Sequence, residues 1–139
     1  MGALISSRGR YALRVMTDLA LQPRAVYVPL KDIAARQEIS PKYLGSIMTD
    51  LSKAGLVEGI HGKGGGYRLS RSPEDYTLAQ ILLCAEGDLA PVAGLCRGAE
   101  PCDRTQRCPT LPVWEQLERL VTDYLASVTL RDLIAPPPG

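Results

Sequence analysis

Three cysteines stand at even intervals late in the chain: Cys96, Cys102 and Cys108, with five residues between each neighbouring pair. Around them lie Gly98, Pro101, Asp103, Thr105 and several charged residues. These belong to a loop, whereas a cysteine kept for packing sits among apolar neighbours. Thiolates on a polar loop can converge on one soft metal centre, and iron–sulfur clusters are held by such ligands. Free thiols or a disulfide are the alternatives that spacing alone leaves open. A fourth cysteine, Cys84, falls within an apolar helical pattern and reads as core rather than ligand.

A second chemical feature lies earlier, in His61 followed by Gly62-Lys63-Gly64-Gly65-Gly66. Bare glycine amides let a backbone approach a phosphate closely, and Lys63 and His61 add positive or titratable groups beside it. A nucleotide-binding P-loop does not fit. Gly64 follows Lys63 where that loop needs Ser or Thr, and Val57 stands where its first glycine belongs. A third cluster, Ser40, Lys42, Tyr43 and Ser46, puts hydroxyls and a cation on one short stretch.

The elements that would position these groups follow from periodicity. Residues 7–21 read as a helix, with Ala12, Val15, Met16 and Leu19 on one face and Pro23 ending it. A short β-prone link covers 25–29. Residues 30–37 form a second helix. Ser40 is a good N-cap and Pro41 a good first residue for a third helix, over about 41–54, whose apolar stripe is Leu44, Ile47, Met48 and Leu51. Two short helices across a tight turn, the second presenting polar side chains, is the helix-turn-helix pattern. Segments 56–61 and 67–70 are strand-like, and the glycines between them make a hairpin tip. A β-wing therefore follows the third helix, and the fold expected is mainly α: a winged helix-turn-helix.

Thr77 opens another helix with Gln80 in the reciprocal capping position and Gly87 at its end. Residues 88–109 lack periodicity, and a loop this long in a small protein is uncommon unless it has a function. A long helix over about 112–127 carries Val113, Trp114, Leu117, Leu120, Val121, Tyr124, Leu125 and Val128. That stripe is wide enough for two partners, its own domain and a second chain. Pairing across a two-fold axis is the preferred reading and an intrachain core helix the alternative. A short helix over 129–134 and a proline tail close the chain.

The 139 residues suffice for one domain plus an appendage, without crosslinks. No apolar run is long enough to span a membrane and the first residues do not resemble a secretion signal, so a cytoplasmic, reducing location is expected. Charge is uneven: residues 1–72 hold eleven Lys/Arg against five Asp/Glu, and residues 73–139 five against ten. An anionic partner for the first half fits this split. The division expected is a DNA-binding unit over 1–72, then a cysteine loop with dimerisation helices over 73–139.

The chain resembles the iron–sulfur winged-helix transcription regulators typified by IscR and NsrR. The match runs through Ser7-Arg-Gly-Arg-Tyr-Ala12, Val28-Pro-Leu-Lys-Asp-Ile-Ala34, Ile39-Ser-Pro-Lys-Tyr-Leu44, Gly55-Leu-Val57, Gly62-Lys-Gly-Gly-Gly-Tyr67, the cysteine trio and Val128-Thr-Leu-Arg-Asp-Leu133. It covers nearly the whole chain. The resemblance implies a homodimer on palindromic double-stranded promoter DNA, and an enzyme is not expected, since the sequence holds no Cys-x-x-Cys, no acid/base pair with a histidine and no cofactor fingerprint. It also implies a cluster on Cys96, Cys102 and Cys108 whose state alters DNA affinity, with 2Fe-2S favoured over 4Fe-4S. One departure concerns the fourth ligand. IscR-type members carry a histidine three residues after the last cysteine, where this chain has Leu111. The nitric-oxide-sensing branch uses an N-terminal aspartate of the partner chain, where this chain has Arg10. The fourth ligand is thus unassigned among Thr110, Glu115, a residue of a second copy or an exogenous group. The DNA contacts expected are Ser40, Lys42, Tyr43 and Ser46 in the major groove, and His61, Lys63, Gly64 and Gly65 on the wing. The alternatives are a cluster-free regulator responding to thiols or metabolites, and a zinc-stabilised interaction module of the same fold.

Overall fold

The computed structural model describes residues 5–87 and 109–135. Helix α1 (Ser7–Ala20) starts at Ser6, whose hydroxyl accepts from the Gly9 amide, and it buries Ala12, Val15, Met16 and Leu19. Helices α2 (Leu30–Gln37) and α3 (Pro41–Lys53) form the helix-turn-helix. The turn between them holds one residue that sequence did not flag. Glu38 ends α2 in the left-handed region at φ 55°, a conformation usually left to glycine. Ile39, the next residue, drops into the core. Ser40 then caps α3 through the Tyr43 amide at 3.2 Å, with Pro41 as first helical residue.

Strands β1 (Val57–Ile60) and β2 (Gly66–Leu69) pair antiparallel with Val57 opposite Leu69 and Ile60 opposite Gly66. The β-prone link contributes one further rung. Val28 and Tyr67 exchange both backbone hydrogen bonds, each 2.8 Å. Gly66 makes this rung possible, because a Cβ there would lie 2.3 Å from the Val28 carbonyl oxygen.

A 3-10 turn (Pro73–Asp75) leads into α4 (Leu78–Glu86), which carries the expected Thr77–Gln80 capping box. Helix α5 (Leu111–Ser127) buries no residue, whereas α6 (Leu130–Ile134) returns to the first core. The Leu78 amide donates to Val128 and the Leu130 amide to Tyr76, and Leu130 is fully buried. The core thus joins α1, α2, α3, the strand bases, α4 and α6, with Met16, Ile33, Leu44, Ile47, Met48, Tyr76 and Ile81 at its centre. Each such side chain removed from water contributes on the order of 1.5–3 kcal/mol. Cys84 packs at the edge of this core, as expected from its place in the apolar pattern, and burial pushes its thiol pKa up.

Candidate nucleic-acid interface

Helix α3 buries Leu44, Ile47, Met48 and Leu51, so the positions between them must face outward. Lys42, Ser46 and Thr49 are exposed, and Tyr43 is half-buried. Ser40 is exposed too, although its hydroxyl is committed to capping. Lys42 and the α3 N-terminus together present a cation and oriented amides.

Tyr43 and Ser46 do not stand alone. Arg8, in the first turn of α1, reaches across to α3. Its Nη2 donates to the Ser46 carbonyl at 3.2 Å and hydroxyl at 3.1 Å, and closely to Asp50 Oδ2. Its guanidinium lies 5.8 Å from the Tyr43 ring centroid. The hydrogen bond to Asp50 outweighs partial burial and raises the Arg8 pKa further. Tyr11 meets Tyr43 edge-on, with centroids 5.8 Å apart. Sequence reasoning missed both Arg8 and Tyr11 as parts of this surface. A signal existed: a cation in a helix's first turn opposes the helix dipole and needs a partner elsewhere.

At the wing, His61, Lys63 and Gly64 are exposed and Gly65 is partly covered. The Gly65 amide donates to the Gly62 carbonyl at 2.9 Å, which closes a four-residue turn with Lys63 at its tip. Gly64 has φ 80°, the positive value that the third residue of a type II turn requires. A Cβ on Gly65 would strike the Ile60 and Gly62 carbonyl oxygens at 2.5 and 2.8 Å. These two glycines therefore shape the tip that holds Lys63 outward. The wing's base is fixed by Tyr76. Its buried hydroxyl donates to the Leu56 carbonyl at 2.7 Å, accepts from the Arg71 amide at 2.9 Å and lies 3.1 Å from Ser70 Oγ.

The α1–α2 junction is pinned by Asp18, 4% exposed, which accepts from Arg36 at 2.9 and 2.8 Å and from Gln37 at 2.9 Å. Burial alone would push this carboxyl up, but the hydrogen bonds from Arg36 and Gln37 and the Arg36 charge hold it below its ordinary value.

Cys96, Cys102 and Cys108 lie outside the described residues. Among the described residues, no group of three or more His, Cys, Asp or Glu could hold a metal ion. Leu111, the first residue of α5, offers no donor atom. Glu115 is exposed one turn further on.

A helix-turn-helix with a β-wing and a row of exposed polar and basic groups on its second helix defines a DNA-binding transcription regulator. The comparisons agree. Residues 5–136 match the model of the Rrf2 family, described as iron-dependent transcriptional regulator, and the chain belongs to that family. The HTH-type transcriptional regulator IscR of Vibrio vulnificus strain YJ016 is 39% identical over 131 residues, which span 94% of this chain and 77% of the relative. Two solved structures share the fold at 34% identity. CymR, the global cysteine regulator of B. subtilis, has a TM-score of 0.74 with 93% of this chain and 94% of that one covered. IscR of T. potens has a TM-score of 0.75 with 96% and 88% covered. The resemblance read from sequence therefore holds at the level of family, winged-helix fold and non-enzymatic DNA-binding regulation. No helix among the described residues is long and apolar enough to cross a membrane.

Proposed function

We propose that the protein is a homodimeric cytoplasmic regulator that reads palindromic promoter DNA and whose affinity depends on an iron–sulfur cluster held by Cys96, Cys102 and Cys108. The observation that carries the DNA half of this reading is the outward row on α3 together with the wing tip. Lys42, Tyr43 and Ser46 fit the major groove, with Ser40 capping the helix at the phosphates. His61, Lys63 and the Gly64–Gly65 backbone fit the adjacent minor groove or sugar–phosphate backbone. Residues 1–72 are then the reading unit, and residues 73–139 the sensing and pairing unit.

The exposed stripe on α5 supports the dimer. Val113, Leu117, Leu120 and Tyr124 are between 38% and 66% exposed and recur at spacings of four, three and four. That is the seam of a helix pair. The adjoining flank, with Val121 and Leu125, is half-buried, as is Val128 at the C-cap. Two heads joined there must sit about one helical turn apart, roughly 34–36 Å, to read a palindrome.

The donor set fits the cluster. Three thiolates in a segment bounded by Gly87 and Leu111 are ligands that iron takes readily. A bound cluster supplies a centre sensitive to oxidation and to exogenous ligands, and 2Fe-2S is favoured over 4Fe-4S. The chain's own contribution is to tie both ends of that segment to the body, through the Thr77 and Gly87 ends of α4 and through α5. An outside ligand can shift the DNA-binding equilibrium only by its different affinity for the two states. The fourth ligand falls to Glu115, Thr110, a second copy or an outside group.

Anaerobic protein should be coloured, with iron and acid-labile sulfide in comparable amounts, and Cys102→Ser should lose both. A wild-type protein with neither, under any reconstitution, rejects the cluster. It would favour the cluster-free thiol-responsive reading, which has one point in its support: likeness to a cysteine regulator. Zinc without sulfide would indicate the zinc-stabilised alternative. For the wing, Lys63→Ala should weaken binding to all duplexes alike and lower the salt slope by about one. An unchanged slope removes Lys63 from the interface.

A further inference from the structure

Arg8 occupies a place that local preference does not explain. It stands in the first turn of α1, where the helix dipole disfavours a cation. Its guanidinium spans Tyr43, Ser46 and Asp50, which are positions i, i+3 and i+7 of α3 and therefore one stripe over two turns. The Ser46 carbonyl accepts from the same Nη2 at 3.2 Å. Tyr11, one turn along α1, closes on the Tyr43 ring from another side. The turn that carries Arg8 is itself held from behind. Ser6 donates from its amide and its hydroxyl to Glu86 Oε1 at 2.8 and 2.6 Å. The start of the helix that carries Arg8 is thus tied to α4 through Ser6, and the Arg8 tip is held by α3.

We propose that Arg8 is a positioning residue for sequence reading: it sets the orientation of Tyr43 and Ser46 on the DNA-facing helix without touching DNA. The inference rests on the assignment of α3 as the recognition helix. The charge balance supports positioning over attraction. Asp50 lies against the guanidinium, so the pair adds little net positive charge to the surface. Its directional bonds, by contrast, decide where two reading side chains stand. Contacts to phosphate steer a protein regardless of sequence, whereas base contacts tolerate little misplacement. Losing the clamp should therefore reduce discrimination more than affinity. Lysine cannot replace it, because an ammonium lacks the planar fork that serves three partners and stacks on a ring.

The experiment uses the full chain and two duplexes. One is enriched by the wild-type protein from a random-sequence pool, and the other is a scrambled version of the same composition. Fluorescence anisotropy over a salt series gives both affinities and the salt slope for wild type, Arg8→Lys and Asp50→Asn, with thermal melts as a folding control. Arg8→Lys should cut the ratio of the two affinities about tenfold, the scale of one imperfect base contact, with the salt slope unchanged. Asp50→Asn should lower the ratio as well, although it removes a negative charge. Equal weakening of Arg8→Lys on both duplexes would make Arg8 a sequence-independent contact and overturn the proposal. So would a ratio unchanged in Arg8→Lys, or an Asp50→Asn variant that simply binds both duplexes more tightly. If the wild-type protein enriches no sequence at all, the recognition-helix assignment itself fails.

Discussion

Replacing Tyr76 by Phe removes one oxygen from the point where the wing joins the core. Tyr76 is fully buried and so is its bond to Leu56, whereas its bond to the Arg71 amide is only partly buried. The Leu56 carbonyl would lose its 2.7 Å donor and keep only the Ser70 amide at 3.5 Å. The Arg71 amide would lose its acceptor at 2.9 Å. Ser70 keeps its own bond to the Gly55 carbonyl at 2.7 Å, so that hydroxyl stays satisfied. A buried group left without a partner costs about 1–3 kcal/mol. One full loss and one partial loss come to about 2–3 kcal/mol, a sizeable share of the roughly 5–15 kcal/mol of a typical native state. At about 4 °C per kcal/mol for a domain of this size, Tm should fall by roughly 8–12 °C. Urea unfolding gives the same quantity directly, with an unchanged slope showing that the unfolded state is the same. A loss below about 0.5 kcal/mol would refute the reasoning, since substitutions at surface sites without special contacts fall in that range.

Two further substitutions test other joints. Gly66→Ala should destabilise by about 3 kcal/mol or more and slow or abolish folding, because the new methyl meets Val28 backbone at 2.3 Å. A melt within a degree or two of wild type would show that the rung is dispensable. Asp18 predicts an acid dependence. Its folded pKa lies below the unfolded one of about 3.9, so its stabilisation is complete above that value and is lost as pH falls through the lower folded pKa. Asp18→Asn should cost about 1–2 kcal/mol at neutral pH and flatten the fall in stability below about pH 4. Parallel curves for the two proteins would exclude Asp18 as the source.

How much of this was legible in advance depended on range. Ser40, Pro41, Thr77, Gln80 and Gly87 act on their own neighbours, and the helix ends they mark fall where their chemistry puts them. The apolar stripes of α1 and α3 needed only a period. The wing was legible because a glycine run between two strand-like segments has few other uses. What sequence could not supply were contacts between residues far apart. The Arg8 clamp joins positions 38 and 42 residues apart, and the Tyr76 latch joins positions 20 apart. Neither the arginine nor the tyrosine belongs to a spacing pattern that would announce it. The Val28 rung was half legible: β-branched residues marked an extended link, but its partner was set only by the gap at Gly66. The positive φ at Glu38 had no local signal, since glutamate rarely takes it and the burial of Ile39 next door imposes it.

The last turn of α4 ties α1 to α3. That turn ends at Gly87, and the segment with Cys96 begins immediately beyond it. Glu86 binds Ser6 on α1, and the Cys84 thiol lies 3.5 Å from the Asp50 carbonyl on α3. Asp50 in turn holds Arg8. The last turn of α4 is thus bonded both to the residue that starts α1 and to the acidic partner of the clamp on α3. A rotation of that turn cannot occur without stretching one of these bonds, because buried packing resists continuous deformation and yields only between discrete arrangements. Among the described residues the wing tip has no such tie, since Lys63 projects from a turn closed by the Gly65–Gly62 bond. Displacing the last turn of α4 would therefore act first on the Arg8–Asp50 clamp and reach the wing only through the core.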